Sequence, residues 1–459
     1  MSVALFMVVL DNLVVTTALP SIRADLGATI QSLEWTVNAY TLSYAVLLLT
    51  GAALGDRFGR RRMFVIGLAM FTVASAAAAL APTTAALIGA RAIQGVGAAI
   101  VTPLTLTLLA EVFPAEKRGL AIGAWSGISG LGVALGPLVG GAVVDGISWH
   151  WIFWINVPVG IAVIPFAATK LAESHGPARQ LDLPGVGLAS AGLLGIVYGI
   201  VRGSELGWTS TTVLGSLIAG AALVAVFLAW EARTEHPMLP LRFFRSRGFA
   251  SVNLVSLSMY FGVFGSIFLL AQFFQVVQGY SPLEAGLRTL PWTIMPIFIA
   301  PIAGMLSDRI GSRPLMVTGL ALQAGAIGWL ASVSSPTVPY SDLVIPFIMA
   351  GTGMALVFAP AANAVLGAVR PQEAGQASGA TNAIRELGGV LGIAVLATVF
   401  AHNGSYASPE AYTNGMTAAI WVGAAVLAVG ALTALLVPGR RAQRRAVAAQ
   451  PLAQVEATA

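Results

Sequence analysis

The sequence predicts an all-α polytopic membrane protein. Only 9% of its 459 residues are charged and 57% are hydrophobic, whereas charged residues make up about a quarter of an ordinary soluble domain. The apolar residues recur in stretches of about 20, the length that an α-helix needs to cross the hydrocarbon core of a bilayer. Lipid is therefore the solvent for this chain. The formal net charge is +5. We interpret the basic residues behind it as marking one side of a membrane, and we expect no nucleic acid as a partner.

Hydropathy over successive windows of about 19 residues predicts fourteen membrane-spanning helices. Their residues are 3–22, 35–54, 63–80, 85–109, 120–144, 151–168, 183–201, 211–230, 249–274, 283–306, 315–333, 343–366, 381–400 and 416–437. A polar stretch and a basic loop divide them into six, two and six. We therefore expect an N-terminal bundle over 1–170, two inserted helices over 183–230, a C-terminal bundle over 249–437 and a basic cytoplasmic tail over 438–459.

The basic residues orient this bundle, because loops rich in Lys and Arg stay in the cytoplasm. Most of the 24 Lys and Arg residues fall on one side of the predicted membrane. The exceptions are Arg23, Arg202 and Arg288, which fall on the other side, and Arg91 and Arg385, which fall within spans. We predict a multi-pass protein of the cell (inner) membrane with both termini cytoplasmic. The first span is expected to be retained rather than cleaved as a signal peptide.

The sequence offers no set of residues typical of catalysis or metal binding. It has no Cys, and its four His are scattered, so we expect no disulfide, no thiolate chemistry and no metal pair on a helix. The Gly-x-x-x-x-Gly-Lys-Ser/Thr loop that binds nucleotide phosphates is also absent. We therefore predict that the protein is not an enzyme and has no catalytic or metal site, and that any work it does draws on an ion gradient.

One loop motif occurs twice. DRFGRR, residues 56–61, follows the second span, and the related DRIGSR, residues 308–313, follows the tenth. Both copies fall on the same predicted face of the membrane. Such a repeat indicates a duplicated six-helix unit, with the seventh and eighth spans inserted between the two copies.

Further motifs lie in the first, fourth, fifth and sixth spans. They are LDNLVVTTALP at 10–20, LIGARAIQGVGAA at 87–99, GVALGPLVGG at 132–141 and WHWIFWINVPVG at 149–160. Together with the loop at 52–62, these stretches resemble the major facilitator superfamily, and within it the fourteen-helix drug:proton antiporter branch. The sequence departs from the usual motifs at Leu13, Thr16, Ala52 and His150.

The resemblance implies a major facilitator fold, with two six-helix bundles and two extra inserted helices. It also implies export of a hydrophobic or cationic small molecule in exchange for protons by alternating access. The proton gradient would be the energy source, and no cofactor would be bound. The expected partners are this substrate, protons and the lipid bilayer, and we expect the protein to function as a monomer.

Asp11, near the centre of the first span, is the leading candidate for proton coupling. A charged residue at mid-membrane costs about 2.5 to 3.5 kcal/mol on insertion scales and usually faces the bundle interior. Arg91 in the fourth span needs a partner, for which Asp11 and backbone carbonyls near Pro20 are candidates. The alternative is an Arg that reaches the outer interface. Gln94, one turn further on, favours an inward polar face, and the resemblance implies that Arg91 takes part in proton relay.

Glu386 is the third candidate for proton coupling. It follows Arg385 in the thirteenth span, and adjacent helical residues point about 100° apart, so the two cannot simply pair. The antiporter branch more often has Gln at this position. An acid here would supply a second protonatable site or attract a cationic substrate, and the alternative is an interfacial acid in contact with cytoplasmic water.

The loop after the second span is the candidate cytoplasmic gate. Its members are Gly55, Asp56, Arg57, Gly59 and Arg60. Positive charge alone would only fix topology. The resemblance implies a latch in which Asp56 lies against the N-terminal end of the thirteenth helix, whose partial positive charge attracts an anion.

Gly132, Gly136 and Gly140 recur at every fourth residue of the fifth span, with Pro137 beside them. One glycine stripe on a helix lets a neighbouring backbone approach closely. Ordinary tight packing and a surface on which the helix slides both fit this pattern. We expect Pro137 to add a bend.

One face of the ninth span is aromatic at one end and carries an amide at the other. Spacings of three or four residues place its candidate members on this face; they are Phe261, Phe264, Phe268 and Gln272. With residues of the tenth span they would line an adaptable substrate cavity, although a lipid-facing or packing stripe fits as well. The further cavity candidates are Asn38, Gln94, Trp292, Met295, Asn363 and Asn382.

Proton-driven export is therefore the predicted function. A gradient-independent facilitator, or a proton-coupled symporter of a small metabolite or lipid, is the alternative, and only the resemblance of the fifth span argues against it. An intramembrane enzyme lacks support, because no Ser, His and Asp set is found in facing helices.

Overall fold

The computed structural model describes residues 1–28, 30–114, 117–176, 182–235 and 237–439. Within these ranges every regular element is helical and no β-strand occurs, which confirms the all-α prediction. Twelve helical segments among the described residues are long and apolar enough to cross a membrane. The number of fourteen crossings stays a prediction, and the predicted basic tail lies outside the described residues from position 440 onward.

Short connections join the helices. In chain order they are α1 (Ser2–Leu26), α2 (Ile30–Phe58), α3 (Arg60–Ala79), α4 (Thr84–Val112), α5 (Arg118–Gly146), α6 (Trp151–Trp154), α7 (Asn156–Lys170), α8 (Leu183–Leu206), α9 (Thr211–Glu231), α10 (Arg242–Arg245), α11 (Arg247–Gln272), α12 (Pro282–Thr293), α13 (Met295–Ile310), α14 (Ser312–Val333), α15 (Tyr340–Gly367), α16 (Ala374–Asn403) and α17 (Pro409–Ala434). A π-helical turn, Phe273–Val277, extends α11.

Two glycine turns complete the repeated loop motif. Gly59 lies between α2 and α3 with a φ of 102°, and Gly311 lies between α13 and α14 with a φ of 90°. A positive φ is strained for residues with a Cβ atom and readily adopted by glycine. Both copies of the motif therefore specify the same tight connection from one helix to the next.

The helices pack in two groups that meet along two seams. In the N-terminal half, residues 1–176, α4 packs against α2 and α3, and α1 packs along α5. In the C-terminal half, residues 237–439, α11 packs against α16 and α17, and α14 against α15 and α17. The halves meet where α5 lies against α12 and α13, and where α2 lies against α16. Helix α8 packs on α9 and also contacts α2 and α16 at the second seam.

Small residues allow these close approaches. A Cβ atom added to Gly95 would lie 2.5 Å from the carbonyl oxygen of Tyr40, and one added to Gly123 would lie 2.5 Å from that of Ala300. Glycine at both positions therefore brings helix backbones together, within the N-terminal half in the first case and across the first seam in the second.

Helix α16 begins earlier than hydropathy predicts. The expected span is 381–400, whereas the helix runs from Ala374 to Asn403. Its first turns contain Gln376 and Ser378, which lower the hydropathy but are buried in the bundle rather than exposed to lipid. At 1.5 Å per residue, Glu386 lies roughly 18 Å from the start of α16. The role of Glu386 stays a prediction.

Candidate functional site

The carboxylate of Asp11 lies at the centre of a buried polar network. Arg91 Nη1 is 2.5 Å from its Oδ2, and the side-chain amides of Gln94 and Asn156 donate to its Oδ1 at 2.8 and 2.7 Å. Ser75 Oγ lies within hydrogen-bond distance of both amides, at 2.6 and 3.2 Å. Helices α1, α3, α4 and α7 thus contribute to one network, in which the side chains of Asp11 and Arg91 have no exposed surface.

Arg91 makes further contacts on the same face of α4. Its Nε donates to the carbonyl oxygen of Thr36 at 3.3 Å, and its guanidinium carbon lies 4.2 Å from the ring centre of Tyr40 and 5.8 Å from that of Phe153. Ion pairing and cation–π contact both stabilise a charge that water does not reach. Arg91 therefore faces inward, and the carbonyl that it meets belongs to Thr36 rather than to a residue near Pro20.

Sequence reasoning missed Asn156 and Ser75 as members of this network. Asn156 lies within the motif at 149–160, but the motif assigned it no role. Ser75 stands in an Ala-rich run of the third span. The sequence could have indicated only that a polar side chain within a span needs a hydrogen-bond partner. Which residue is that partner depends on how the helices pack.

Apolar side chains enclose the network. Val14, Val15 and Ala18 continue α1 beyond Asp11 and belong to one apolar cluster with Trp149 and Phe153. All five are buried. In this conformation the charge on the carboxylate therefore depends on its hydrogen-bond donors rather than on bulk water.

A second set of charges joins the two halves at the basic end of the bundle, which we define as the end that carries Arg60, Arg61 and Arg62. Arg60 is 2% exposed and pairs with both Asp56 and Glu111. Its Nη2 also donates to the carbonyl oxygen of Gln372, in the C-terminal half, at 2.8 Å. Asp56 accepts a hydrogen bond from the backbone N–H of Gln376. Asp56 thus lies at the first turn of α16, the position that the resemblance implies.

The second copy of the motif makes the reciprocal contact. Asp308, near the end of α13, accepts a hydrogen bond from the backbone N–H of Gly119 in the first turn of α5. Asn363 donates to Asp308 Oδ1 at 2.9 Å and to Ser307 Oγ at 3.0 Å. The acid of each repeat therefore caps a helix of the other half, where amide groups lack helical partners. Asn363, expected in the substrate cavity, belongs to this second contact instead.

The other members of the gate motif differ in their surroundings. Gly55 leaves room for Leu104 of α4, and Gly59 leaves room for the carboxylate of Glu173. Arg57 is exposed. Within the motif, Asp56 and Arg60 therefore make the contacts described between the halves.

The glycine stripe of α5 packs against α1. A Cβ atom at Gly132 would lie 3.2 Å from the backbone of α1, and one at Gly136 would lie 2.6 Å from Leu13 Cβ. Gly140 is also buried, and the side chain of Pro137 lies outside the described part of the structure. The stripe therefore adjoins the helix that carries Asp11.

Another buried charge lies where the halves meet. Arg385 of α16 is 1% exposed, and its guanidinium carbon lies 5.1 Å from the ring centre of Phe358 and 5.8 Å from that of Tyr260. Its Nε and Nη2 have no hydrogen-bond partner among the described residues. Trp125 of α5 packs against Phe358 with ring centres 6.3 Å apart, so the N-terminal half supplies part of this aromatic wall.

Glu386 and Phe264 complete what we call the Arg385 cluster: Trp125, Tyr260, Phe264, Phe358, Arg385 and Glu386. Phe264 stacks on Tyr260 at 5.2 Å. Glu386 is half-buried and lies within electrostatic range of Arg385, Tyr44 and Tyr260. Within the described ranges it forms no ion pair.

The remaining candidates of the ninth span do not share one lining. Phe261 is buried beneath Gly392 of α16, whereas Phe268 is 41% exposed. Gln272 accepts a hydrogen bond from Tyr406, in the loop after α16, at 2.7 Å. These residues follow one another along the same helix, but each of them has different neighbours.

The candidates on other helices also lie in separate surroundings. Trp292 packs on Phe347 of α15 with ring centres 6.0 Å apart, and Met295 contacts Gly351 of the same helix. Asn382 donates to the carbonyl oxygen of Ser378 on its own helix at 2.9 Å, and Asn38 is half-buried on α2. The sequence-predicted cavity is therefore not assembled as one set, and Gln94 belongs to the Asp11 network.

The described residues thus form a bundle of membrane-length helices with a buried ion pair, whose two halves are joined by reciprocal charged contacts. The family model for the Major Facilitator Superfamily matches residues 1–393 and 293–458. Among solved structures, the proton:xylose symporter XylE has a TM-score of 0.67 at 16% identity, covering 95% of this chain and 94% of that chain. The human organic anion transporter MFSD10 has a TM-score of 0.65 at 14% identity, covering 94% and 98%. These two likenesses show the fold.

Closer relatives are bacterial. The chain is 36% identical to the multidrug resistance protein Stp of Mycobacterium tuberculosis, over 86% of this chain and 74% of that protein. It is 34% identical to the tetracenomycin C resistance and export protein of Streptomyces glaucescens, over 87% and 74%. It is 37% identical to the cephamycin export protein CmcT of Amycolatopsis lactamdurans, over 94% and 90%. The chain belongs to the major facilitator superfamily, and it is a transporter rather than an enzyme.

Proposed function

We propose that this transporter exports hydrophobic or cationic small molecules, of the antibiotic or drug type, in exchange for protons. Relatives named for multidrug resistance and antibiotic export support the direction of transport and the substrate class. The basic loops support a place in the cell (inner) membrane with both termini in the cytoplasm, and we propose that a single chain is the working unit.

The observation that carries this proposal is the fully buried carboxylate of Asp11 with its three donors. An ionised carboxylate in a low-dielectric interior is tolerable only with such partners. A proton on Asp11 removes the charge that Arg91 pairs with, and loss of one partner of a buried pair costs about 3 to 5 kcal/mol. A difference of this size is enough to change which of two conformations is the more populated. Proton binding therefore favours another arrangement of α1 and α4.

The gate contacts link this change to access. Asp56 and Asp308 each bind the first turn of a helix in the other half, so they hold the basic end closed in this conformation. Opening toward the cytoplasm requires both contacts to separate. Helix α5 packs on α1 through its glycine stripe. Its first turn contains Gly119 of the second gate contact, so α5 is the element that connects the Asp11 network to the gate.

Dye export tests the proposal, and it is measured as uptake into inverted membrane vesicles and as efflux from cells. With the wild-type protein, export stops when a protonophore collapses the gradient. Asp11→Asn keeps the shape of the side chain but cannot exchange a proton, so its export falls to background with or without the gradient. Asp25→Asn, which changes an exposed acid on the same helix, is the matched control and retains export.

The decisive outcome is the effect of the protonophore on the wild-type protein. Export that continues undiminished after the gradient collapses would contradict antiport and would leave a gradient-independent facilitator.

A further inference from the structure

The Arg385 cluster contains a charge that the proposed proton cycle does not use. Arg385 is 1% exposed, yet its Nε and Nη2 find no acceptor among the described residues. A buried donor without an acceptor costs free energy, and a charged donor costs more than a neutral one. A bound molecule that supplies acceptors at this point removes that cost.

The chemistry of Arg385 specifies its missing partner. A guanidinium is a planar fork of N–H donors, which a carboxylate matches with two parallel hydrogen bonds. The rings of Tyr260 and Phe358 beside it are stacked, with centres 6.0 Å apart and planes 25° apart. A flat aromatic molecule extends such a stack. A carboxylate attached to an aromatic ring therefore satisfies both the charge and the surrounding rings.

Glu386 specifies a second position for the same molecule. Its carboxylate is half-buried and forms no ion pair in the described part of the chain. It points about 100° away from Arg385 around the helix and lies within electrostatic range of Tyr44 and Tyr260. A carboxylate in a partly buried setting attracts a cationic nitrogen. Two charges of opposite sign, which interact electrostatically but form no ion pair within hydrogen-bond distance among the described residues, thus lie on adjacent residues of α16.

We propose that the Arg385 cluster binds a zwitterionic aromatic substrate, with its carboxylate on Arg385 and its cationic nitrogen facing Glu386. This inference rests on the proposed export function and narrows its substrate class. Tyr260 and Phe358 are half-buried whereas Arg385 is not accessible, so the substrate reaches the guanidinium past these two rings.

Three related dyes separate the two charges. Rhodamine 110 carries a carboxylate and a cationic ring system, its methyl ester rhodamine 123 carries only the cation, and fluorescein has the carboxylate without a cationic nitrogen. Binding to the purified full-length protein in lipid nanodiscs is measured by fluorescence anisotropy, and export is measured in vesicles. We expect the wild-type protein to bind rhodamine 110 about tenfold more tightly than either of the other two dyes.

Single substitutions test which residue binds which charge of the dye. Arg385→Gln removes the preference for rhodamine 110 over its ester, and Arg385→Lys, which keeps the charge but not the planar fork, restores part of it. Glu386→Gln removes the preference for rhodamine 110 over fluorescein. Arg288→Gln, at an Arg that stacks on Tyr280 outside the cluster, is the matched control and leaves all three affinities unchanged.

Equal binding of rhodamine 110 and its ester by the wild-type protein overturns the inference, and this comparison needs no variant to fold. An equal loss of both rhodamines in Arg385→Gln and Arg385→Lys also overturns it, because that result indicates a structural role. Dye export without a carboxylate preference leaves the proposed export function standing. Absence of binding and export for all three dyes contradicts both proposals.

Discussion

Two amides hold the same oxygen of Asp11. Gln94 comes from α4 and Asn156 from α7, and both also contact Ser75 Oγ. A hydrogen bond to a charged group contributes about 1.5 to 3 kcal/mol. Asn156 is therefore placed to fix the position of the Asp11 carboxylate relative to Arg91.

We predict that Asn156→Ala lowers proton-driven dye efflux about tenfold, because the loss of one charged hydrogen bond of about 1.5 kcal/mol corresponds to that factor. The measurement is the initial rate of dye uptake into inverted vesicles that contain equal amounts of protein. The control is Asn253→Ala, at a buried Asn that bonds only to Phe249 on its own helix among the described residues. Equal rates for the two variants would show that Asn156 has no special part in coupling.

At the scale of helices, each half of the chain caps the other. Asp56 meets the start of α16 and Asp308 meets the start of α5. The first amides of a helix are unpaired and carry partial positive charge, so they bind a carboxylate well. The repeated motif thus provides two matching contacts, one at each seam between the halves.

Glycine at both helix starts is necessary for these caps. A Cβ atom at Gly375 would collide with the Asp56 carboxylate, and one at Gly119 would collide with that of Asp308. We predict that Gly375→Ala and Gly119→Ala shift the protein toward a conformation open at the basic end. Gly325→Ala, where nothing lies within 4 Å of the added Cβ, is the control and leaves the conformation unchanged.

Spin labels measure this shift. Labels on Arg62→Cys and Arg313→Cys report the separation of the halves, and the absence of native Cys makes the labelling specific. A longer distance is expected in the two glycine variants. Unchanged distance distributions in both would contradict the role of the caps in closure.

At the scale of the whole molecule, the Lys and Arg residues are predicted to lie mainly on one face, and the predicted orientation follows from that. Loops rich in Lys and Arg remain in the cytoplasm, so we predict that a green fluorescent protein fused after Gly439 is fluorescent. We also predict that alkaline phosphatase fused after Gly207, between α8 and α9, is active, because this enzyme folds only outside the cytoplasm. An inactive phosphatase at Gly207 would mean that α8 and α9 do not both span, and would leave twelve crossings.

Much of the architecture is readable from composition and local pattern. Apolar stretches of about 20 residues locate the helices, because the free energy of inserting a helix into lipid is approximately the sum of contributions from the residues of that one segment. The predicted start of α16 was several residues too late, because hydropathy considers each segment alone. It treats Gln376 and Ser378 as unsuited to a membrane-spanning helix, whereas neighbouring helices bury both side chains.

The sites were predictable only in part. Charged residues are rare inside membrane-spanning segments, so Asp11, Arg91 and Glu386 are easily recognised in the sequence. Their partners do not, because a partner is chosen by the rotation and packing of other helices. Asn156 is separated from Asp11 by 145 positions, and Gln272, expected in the cavity, instead bonds to Tyr406 in a loop.

Composition and hydropathy identify this chain as a helical membrane protein, and its motifs identify the family to which it belongs. Each of these properties is a sum over local residues or a match to a short motif. The packing of the helices was needed to show that Arg91 pairs with Asp11 across 80 positions. It was also needed to show that Arg385 lies against aromatic rings and forms no ion pair within hydrogen-bond distance among the described residues. Whether a buried charge is paired depends on which helix faces land against each other, and no single segment contains that information.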